Sequence, residues 1–300
     1  MFNRISEENF RKIQLPKQSS LVNYSRFKEL ETDVLFRSFS IKYVIEGCEK
    51  YRIYGNQFKI QTGEYLLANN FSGGHLIIDN PTMVEGMCID IAPSILTEVV
   101  SGIKKPDLTE FNPDLERYFT TNYFPENKYN AKQNALGKRL EQISQELALN
   151  TEHNFEFTNE FFYDLAEKLV IDQYSNIKDL NAIPSVKLAT KKDLFRKIAL
   201  GKNFIDSHFS QIKNIEEVAL ECSMSEYHFF RLFRHVYQIS PYQYILKKKL
   251  ELAYQLLKDK ALNISEVAFL TGFNDLPTFS KSFKKQYGLA PSIVQNKSFL

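Results

Sequence analysis

Two stretches toward the C-terminal end carry side chains suited to a polyanionic duplex. Tyr227, Phe230, Arg231 and Arg234 fall at i, i+3, i+4 and i+7, so a helix holds them on one face. Pro277, Ser280, Lys281 and Lys284 repeat that spacing about 50 residues later, with Thr278 and Lys285 beside them. A guanidinium can donate two hydrogen bonds to a guanine edge, and an aromatic or small side chain can touch a thymine methyl. Arg234, Lys284 and Lys285 suit phosphate oxygens, contacts that fix register without carrying sequence information.

The solvated face of an ordinary helical bundle also presents lysines and arginines. The repetition argues against that plainer reading. Ile215-Glu-Glu-Val218-Ala219 recurs as Ile264-Ser-Glu-Val267-Ala268, and Phe229, Phe233 and Arg234 recur as Phe279, Phe283 and Lys284. Ser240-Pro241 is echoed by Ala290-Pro291. Each copy reads as helix, tight turn, helix. Ala219 and Ala268 are small where two helices cross, and Ser223 and Gly272 follow four residues later at the turn. Ser225 and Asp275 are good N-caps for the second helices. Phe229, Leu232, Phe233 and Val236 face inward in the first copy, as do Phe279 and Phe283 in the second. A helix pair with so short a turn is a helix-turn-helix, whose second helix enters the major groove. Between the copies, Pro241 follows Ser240 as a first helical residue follows its cap. A helix from Tyr242 to about Lys258 spans roughly 25 Å. Such a rod can hold both recognition helices in successive grooves on one DNA face, about 34 Å apart.

From Phe204 to Val294, a third of the chain, these residues resemble the AraC/XylS family of transcription regulators. The strongest part is Ile264-Ser-Glu-Val-Ala, Thr271-Gly272-Phe273-Asn-Asp275, Phe279-Ser280-Lys-Ser-Phe283-Lys284-Lys285 and Gly288-Leu-Ala-Pro291-Ser292. The resemblance implies that Tyr227, Phe230 and Arg231 hold base-reading positions of the first unit, and Pro277, Thr278, Ser280 and Lys281 those of the second. Three positions depart from the family pattern. Gln238 stands where a glycine usually ends the first recognition helix, and a left-handed Gln costs roughly 1 kcal/mol more than Gly. Pro277 replaces a small polar residue and cannot bond a base through its ring. Phe230 replaces a residue that is often polar. Readout is therefore expected to lean on shape and apolar contact.

Toward the other end the pattern is strand-like from Val34 to Ile91. Phe39, Ile41, Tyr43 and Ile45 alternate with polar residues, and turn signals fall at Gly47, Gly55-Asn56, Thr62-Gly63, Ser72-Gly73-Gly74 and Asn80-Pro81. An antiparallel barrel or sandwich is expected over about 20–100. Leu136, Leu140, Ile143 and Leu147 then mark an amphipathic helix, and a second is expected from about Phe155 to Tyr174. Asn176 to Thr190, with Pro184, reads as a linker. The predicted architecture is α+β: a sensing and dimerisation domain over 1–175, a linker over 176–190 and an all-α domain over 191–300. Tyr54-Gly55-Asn-Gln-Phe58-Lys-Ile60-Gln-Thr-Gly63-Glu64-Tyr65 and Ile89-Asp-Ile91-Ala-Pro93 are similar to the same family's cupin-type sensing domain. Metal-dependent cupins need a His-x-His pair with a further His and Glu. Only His75 lies in this region, so no metal or other cofactor is expected.

The resemblance implies a homodimeric activator or repressor in the cytoplasm, with double-stranded DNA and RNA polymerase as partners and a small-molecule effector in the barrel. Two alternatives stay open. One is a constitutive regulator whose barrel only dimerises. The other is a cupin-like enzyme, which needs an acid/base or metal cluster that the scattered Glu64, Glu85 and Asp90 do not make. No catalytic Ser/His/Asp or Cys/His set stands out. Charge agrees with the division: Leu194 to Leu300 holds 15 Lys/Arg against 9 Asp/Glu, although the whole chain is only +2. Cys48, Cys88 and Cys222 are dispersed and odd in number, as free thiols in a reducing compartment are. No apolar run is long enough for a transmembrane helix, and Met1 to Lys12 does not read as a secretion signal.

Overall fold

A computed structural model describes residues 1–13, 19–36, 38–102, 113–149, 155–185, 187–258 and 262–297. The chain divides into two compact units, Met1–Lys178 and Asp179–Leu300.

The first unit is built on one eight-stranded sheet of β1 (Phe2–Ser6), β2 (Leu21–Leu35), β3 (Phe39–Glu46), β4 (Cys48–Ile53), β5 (Asn56–Gln61), β6 (Glu64–Ala68), β7 (Gly73–Ile91) and β8 (Asn127–Asn130). Strand β7 is its spine. Along one side it pairs with β2, and along the other with β3 near its end and β4 near its start. The order is β1-β2-β7-β3-β6-β8, with β5 on β4. All pairings are antiparallel except β1 with β2. Among the described residues the ladder stays open, with β1 and β8 at its ends. Alternation places Val44, Tyr51, Ile53, Phe58, Ile60 and Leu66 in one apolar cluster drawn from β3, β4, β5 and β6.

The turn expected at Ser72-Gly73-Gly74 closes at Ser72, whose amide donates to the Asn69 carbonyl at 2.9 Å, and the one expected at Asn80-Pro81 is not a turn. Gly73 and Gly74 belong to β7, and a Cβ on Gly74 would come within 2.6 Å of the Arg52 carbonyl oxygen. Glycine there permits close approach of β4. Asn80-Pro81 lies within β7, where the register with β2 shifts opposite Lys28. Proline is tolerated at such a break because no ladder donor is needed. His75 sits on β7 with Nδ1 2.9 Å from Asp33 and Nε2 3.0 Å from Glu31. These hydrogen bonds raise its pKa above the usual imidazole value. A raised folded-state pKa contributes stability that is complete below the unfolded value and lost as pH rises through the folded one. The His75 ring is expected to titrate above 6.5 by NMR and to move back toward that value in Asp33→Asn.

Helices α1 (Pro93–Gly102), α2 (Pro113–Thr120), α3 (Ala135–Leu149) and α4 (Asn159–Ala182) accompany the sheet. The expected apolar stripe of α3 is inside, with Leu136, Leu140, Ile143 and Leu147 all buried. Helix α4 starts later and ends later than its expected bounds. Ile177 and Leu180 are buried and prolong its stripe through the first part of the expected linker; among the described residues of that stretch, 183–185 and 187 lie outside helices.

The second unit is helical: α5 (Leu188–His208), α6 (Ile215–Glu221), α7 (Glu226–Tyr237), α8 (Pro241–Leu256), α9 (Ile264–Leu270), α10 (Leu276–Tyr287) and α11 (Pro291–Lys297). Among the described residues no helix is long and apolar enough to cross a membrane, and no cluster of His, Cys, Asp and Glu could hold a metal.

Candidate nucleic-acid interface

The two helix pairs, α6–α7 and α9–α10, share one local construction. Asn214 caps α6 by accepting from the Glu217 amide, and Asn263 caps α9 by accepting from the Glu266 amide. In each turn a backbone amide donates back across the break: Met224 to the Ala219 carbonyl at 2.9 Å, and Phe273 to the Ala268 carbonyl at 3.0 Å. Each turn passes through a left-handed residue, Ser223 at φ 51 and Gly272 at φ 79. Ser225 and Asp275 then cap the second helices by accepting from the amides of His228 and Thr278. The side chains that end α6 and α9 also correspond. Cys222 Sγ donates to the Val218 carbonyl and Thr271 Oγ1 to the Val267 carbonyl, both buried. Cys222 thus takes the place of a capping threonine, and burial pushes its thiol up to about 12.

Packing repeats as well. Phe229 and Phe233 are fully buried with ring centroids 5.5 Å apart, and Phe279 and Phe283 are fully buried at 5.6 Å. Each buried ring contributes about 1.5–3 kcal/mol relative to exposure, so this inner stripe fixes which face of α7 and α10 points outward. Helix α8 starts from a capping box in which Ser240 and Gln243 satisfy each other's backbone, with Pro241 as first residue. Its 16 residues make a rod of about 24 Å. Lys249 Nζ donates to the Gly272 carbonyl at 2.8 Å, tying that rod to the second turn.

The outward faces carry the expected residues. Tyr227, Arg231 and Arg234 are exposed on α7. Arg231 lies along the Tyr227 ring, 5.6 Å from its centroid, with an Nη1 donating to the phenol oxygen at 3.3 Å. The guanidinium is thereby held in one orientation while its other donors stay free to act. Phe230 is half-buried, its ring 6.4 Å from that of Tyr242 on α8. The sequence left Phe230 open between base contact and packing against the connecting helix, and its half-burial beside α8 makes it partly a packing residue. On α10, Pro277, Thr278, Lys281, Lys284 and Lys285 are exposed and Ser280 is half-buried. Arg234 and His235 lie in the last turn of α7, and Lys284 and Lys285 in that of α10, where positive charge also favours the helix dipole.

Sequence reasoning missed two residues. His228 and His235 line an open groove of about 650 Å³ along α7, together with Tyr227, Phe230, Arg231 and Arg234. At the 50-residue offset of the repeat they correspond to Thr278 and Lys285, so the second copy carried a signal for both. Gln238 does adopt the left-handed conformation of a helix end, at φ 58, and its side-chain Nε2 donates to the His235 carbonyl at 2.6 Å. Gly288 fills the same role after α10, at φ 72. Gln238→Gly is expected to raise the urea midpoint by an amount worth about 0.5–1 kcal/mol.

The helix-turn-helix domain family matches residues 218–297. Residues 218–297 are a helix-turn-helix domain of the AraC type. The chain is 30% identical over 130 residues to the probable transcriptional regulator LumQ of Photobacterium leiognathi, covering 43% of this chain and 52% of LumQ. It is 28% identical over 128 residues to the regulator GbdR of Pseudomonas aeruginosa, covering 42% of this chain and 34% of GbdR. The chain thus spans about half or less of the length of these relatives. The crystal structure of unsaturated fatty acid-bound ToxT from Vibrio cholerae is similar at 15% identity and a TM-score of 0.36, over 94% of this chain and 97% of that one.

Proposed function

We propose that this protein is a sequence-specific, DNA-binding transcription regulator without catalytic activity. The duplicated helix pair carries the reading: two outward faces, each with exposed cations on a rigid inner phenylalanine stripe, joined by a helix of fixed length. Tyr227, Arg231, Pro277, Thr278, Ser280 and Lys281 read base edges, with Phe230 contributing apolar contact and shape. Arg234, Lys284 and Lys285 hold phosphates. A homodimer that engages RNA polymerase in the cytoplasm fits this role. The sheet unit senses a small molecule, which shifts the population of DNA-competent states.

Affinity is expected to fall as salt rises, because phosphate contacts release counterions. Lys284→Ala with Lys285→Ala should weaken binding about equally on all sequences and lower the salt slope by about 2. A titration of the double variant on matched and scrambled duplexes at several salt concentrations checks this. An unchanged slope would remove the two lysines from the interface.

A further inference from the structure

The two recognition helices share one template but differ in the kind of cation they carry. At the offset of the repeat, Arg231, Arg234 and His235 of α7 stand where Lys281, Lys284 and Lys285 stand in α10. Helix α10 thus presents three ammonium groups, whereas α7 presents two guanidiniums and an imidazole. The correspondence holds in the fold as well. His235 and Lys285 each lie in the last turn of their helix, beside Arg234 and Lys284. Each follows a fully buried phenylalanine of the inner stripe by two residues, Phe233 or Phe283, so both turn outward and are exposed.

His228, Arg231 and His235 fall at i, i+3 and i+7 and line the groove along α7. The backbone of the two histidines is engaged, the His228 amide by Ser225 and the His235 carbonyl by Gln238. Among the described residues, neither ring hydrogen-bonds another group of the protein. The rings of His75 and His208 do, on Asp33 and Glu31 and on the Phe204 carbonyl. The titratable and charged groups that share the groove with His235 are Tyr227, His228, Arg231 and Arg234, and no carboxylate is among its described lining residues. The acidic groups of the elements packed on α7 are occupied elsewhere. Asp179 of α4, Asp206 of α5 and Tyr244 of α8 bear on the buried Tyr237, and Glu221 of α6 bears on Cys222. Glu226 of α7 accepts from Tyr242 of α8. A charge on the His235 ring therefore meets only cations within the groove, and its natural counter-ion is an external anion.

We infer that His235 is a phosphate contact of the first helix pair in its protonated form only, so that this half of the molecule grips DNA in proportion to acidity while the second half does not. The protonated ring adds a charge at the place where Lys285 carries one, and the neutral ring adds none. Protonation and phosphate binding favour each other by linkage. Affinity accordingly rises as pH falls through the ordinary imidazole range, between about 5 and 8. The position at the end of α7 favours the same charge through the helix dipole. The inference rests on the DNA-binding reading given under Proposed function and adds a residue and a proton to it.

The test is anisotropy titration of the full chain on a labelled mixed-sequence DNA duplex, at several salt concentrations, at about pH 6 and about pH 8. Such a duplex suffices because phosphate contacts do not depend on sequence. The wild-type chain is expected to bind about three- to fivefold more tightly at the lower pH. Its salt slope there should be steeper by about 1. His235→Gln is expected to lose both differences. His235→Lys, which copies the second unit, is expected to bind at the higher pH as tightly as the wild type does at the lower. Lys285→His is expected to deepen the pH dependence. Equal wild-type binding at both pH values would overturn the inference and leave the DNA-binding reading standing. So would a pH dependence that survives in full in His235→Gln. A chain that binds the duplex at neither pH would overturn both.

Discussion

Gly272→Ala is expected to disrupt the second helix pair, at a cost of about 3 kcal/mol or more. Two independent effects add at this position. The residue sits at φ 79, where a Cβ is strained, and an ideal Cβ would lie 2.1 Å from the carbonyl oxygen of Ser210. The obstacle is backbone between α5 and α6, so relief requires moving the segment that leads into the first helix pair, not rotating a side chain. Lys249 holds the same turn through the Gly272 carbonyl, which resists that movement. Gly288→Ala is the natural comparison. Its φ of 72 carries similar strain, but nothing lies within 4 Å of the added Cβ. That variant should lose only about 1–2 kcal/mol. Urea unfolding of the two variants separates clash from strain, and equal losses would show that the turn is not wedged against Ser210.

Arg231→Ala should cost about 1–3 kcal/mol in binding to a preferred duplex, and it should relax preference at one base position. The magnitude rests on orientation. A free arginine must be ordered on binding, whereas the Arg231 guanidinium already lies along Tyr227 with one donor on its hydroxyl. Tyr227→Phe should therefore give a smaller loss of the same kind, since the ring remains and the hydrogen bond goes. The contrast with Lys284 and Lys285 is in the pattern: loss of Arg231 should discriminate among sequences, while loss of the lysines should not. Competition binding against a panel of single-base variants checks this. An unchanged preference would assign Arg231 to the backbone or to solvent.

The helical unit was legible because its constraints are local and occur twice. N-caps, left-handed turn positions and i, i+4 phenylalanines each depend on a few neighbouring residues, so Ser225, Asp275, Phe279 and Phe283 show their roles in one dimension. The inner stripe and outward faces of α7 and α10 follow from those positions. Spacing left open whether Phe230 meets a base or packs on the connecting helix, since that choice depends on how α8 lies beside α7. The sheet unit was legible in kind but less so in plan. Alternation in β3 to β6 marked strands, yet Gly73-Gly74 and Asn80-Pro81 carry turn-like residues inside β7 for reasons that lie on partner strands. Strand β1 pairs parallel to β2 across an intervening segment, a non-local choice that periodicity does not encode.

The most direct test of DNA reading by the duplicated helix pair is selection of bound sequences from random duplexes with the full chain. The expected product is a site with two short recognised elements about one helical turn apart, 10–10.5 base pairs, on one face of the duplex. Its enrichment should weaken at one element in Arg231→Ala and at the other in Lys281→Ala. A pool that stays random after repeated rounds at low salt, or a single element untouched by either substitution, would contradict the account.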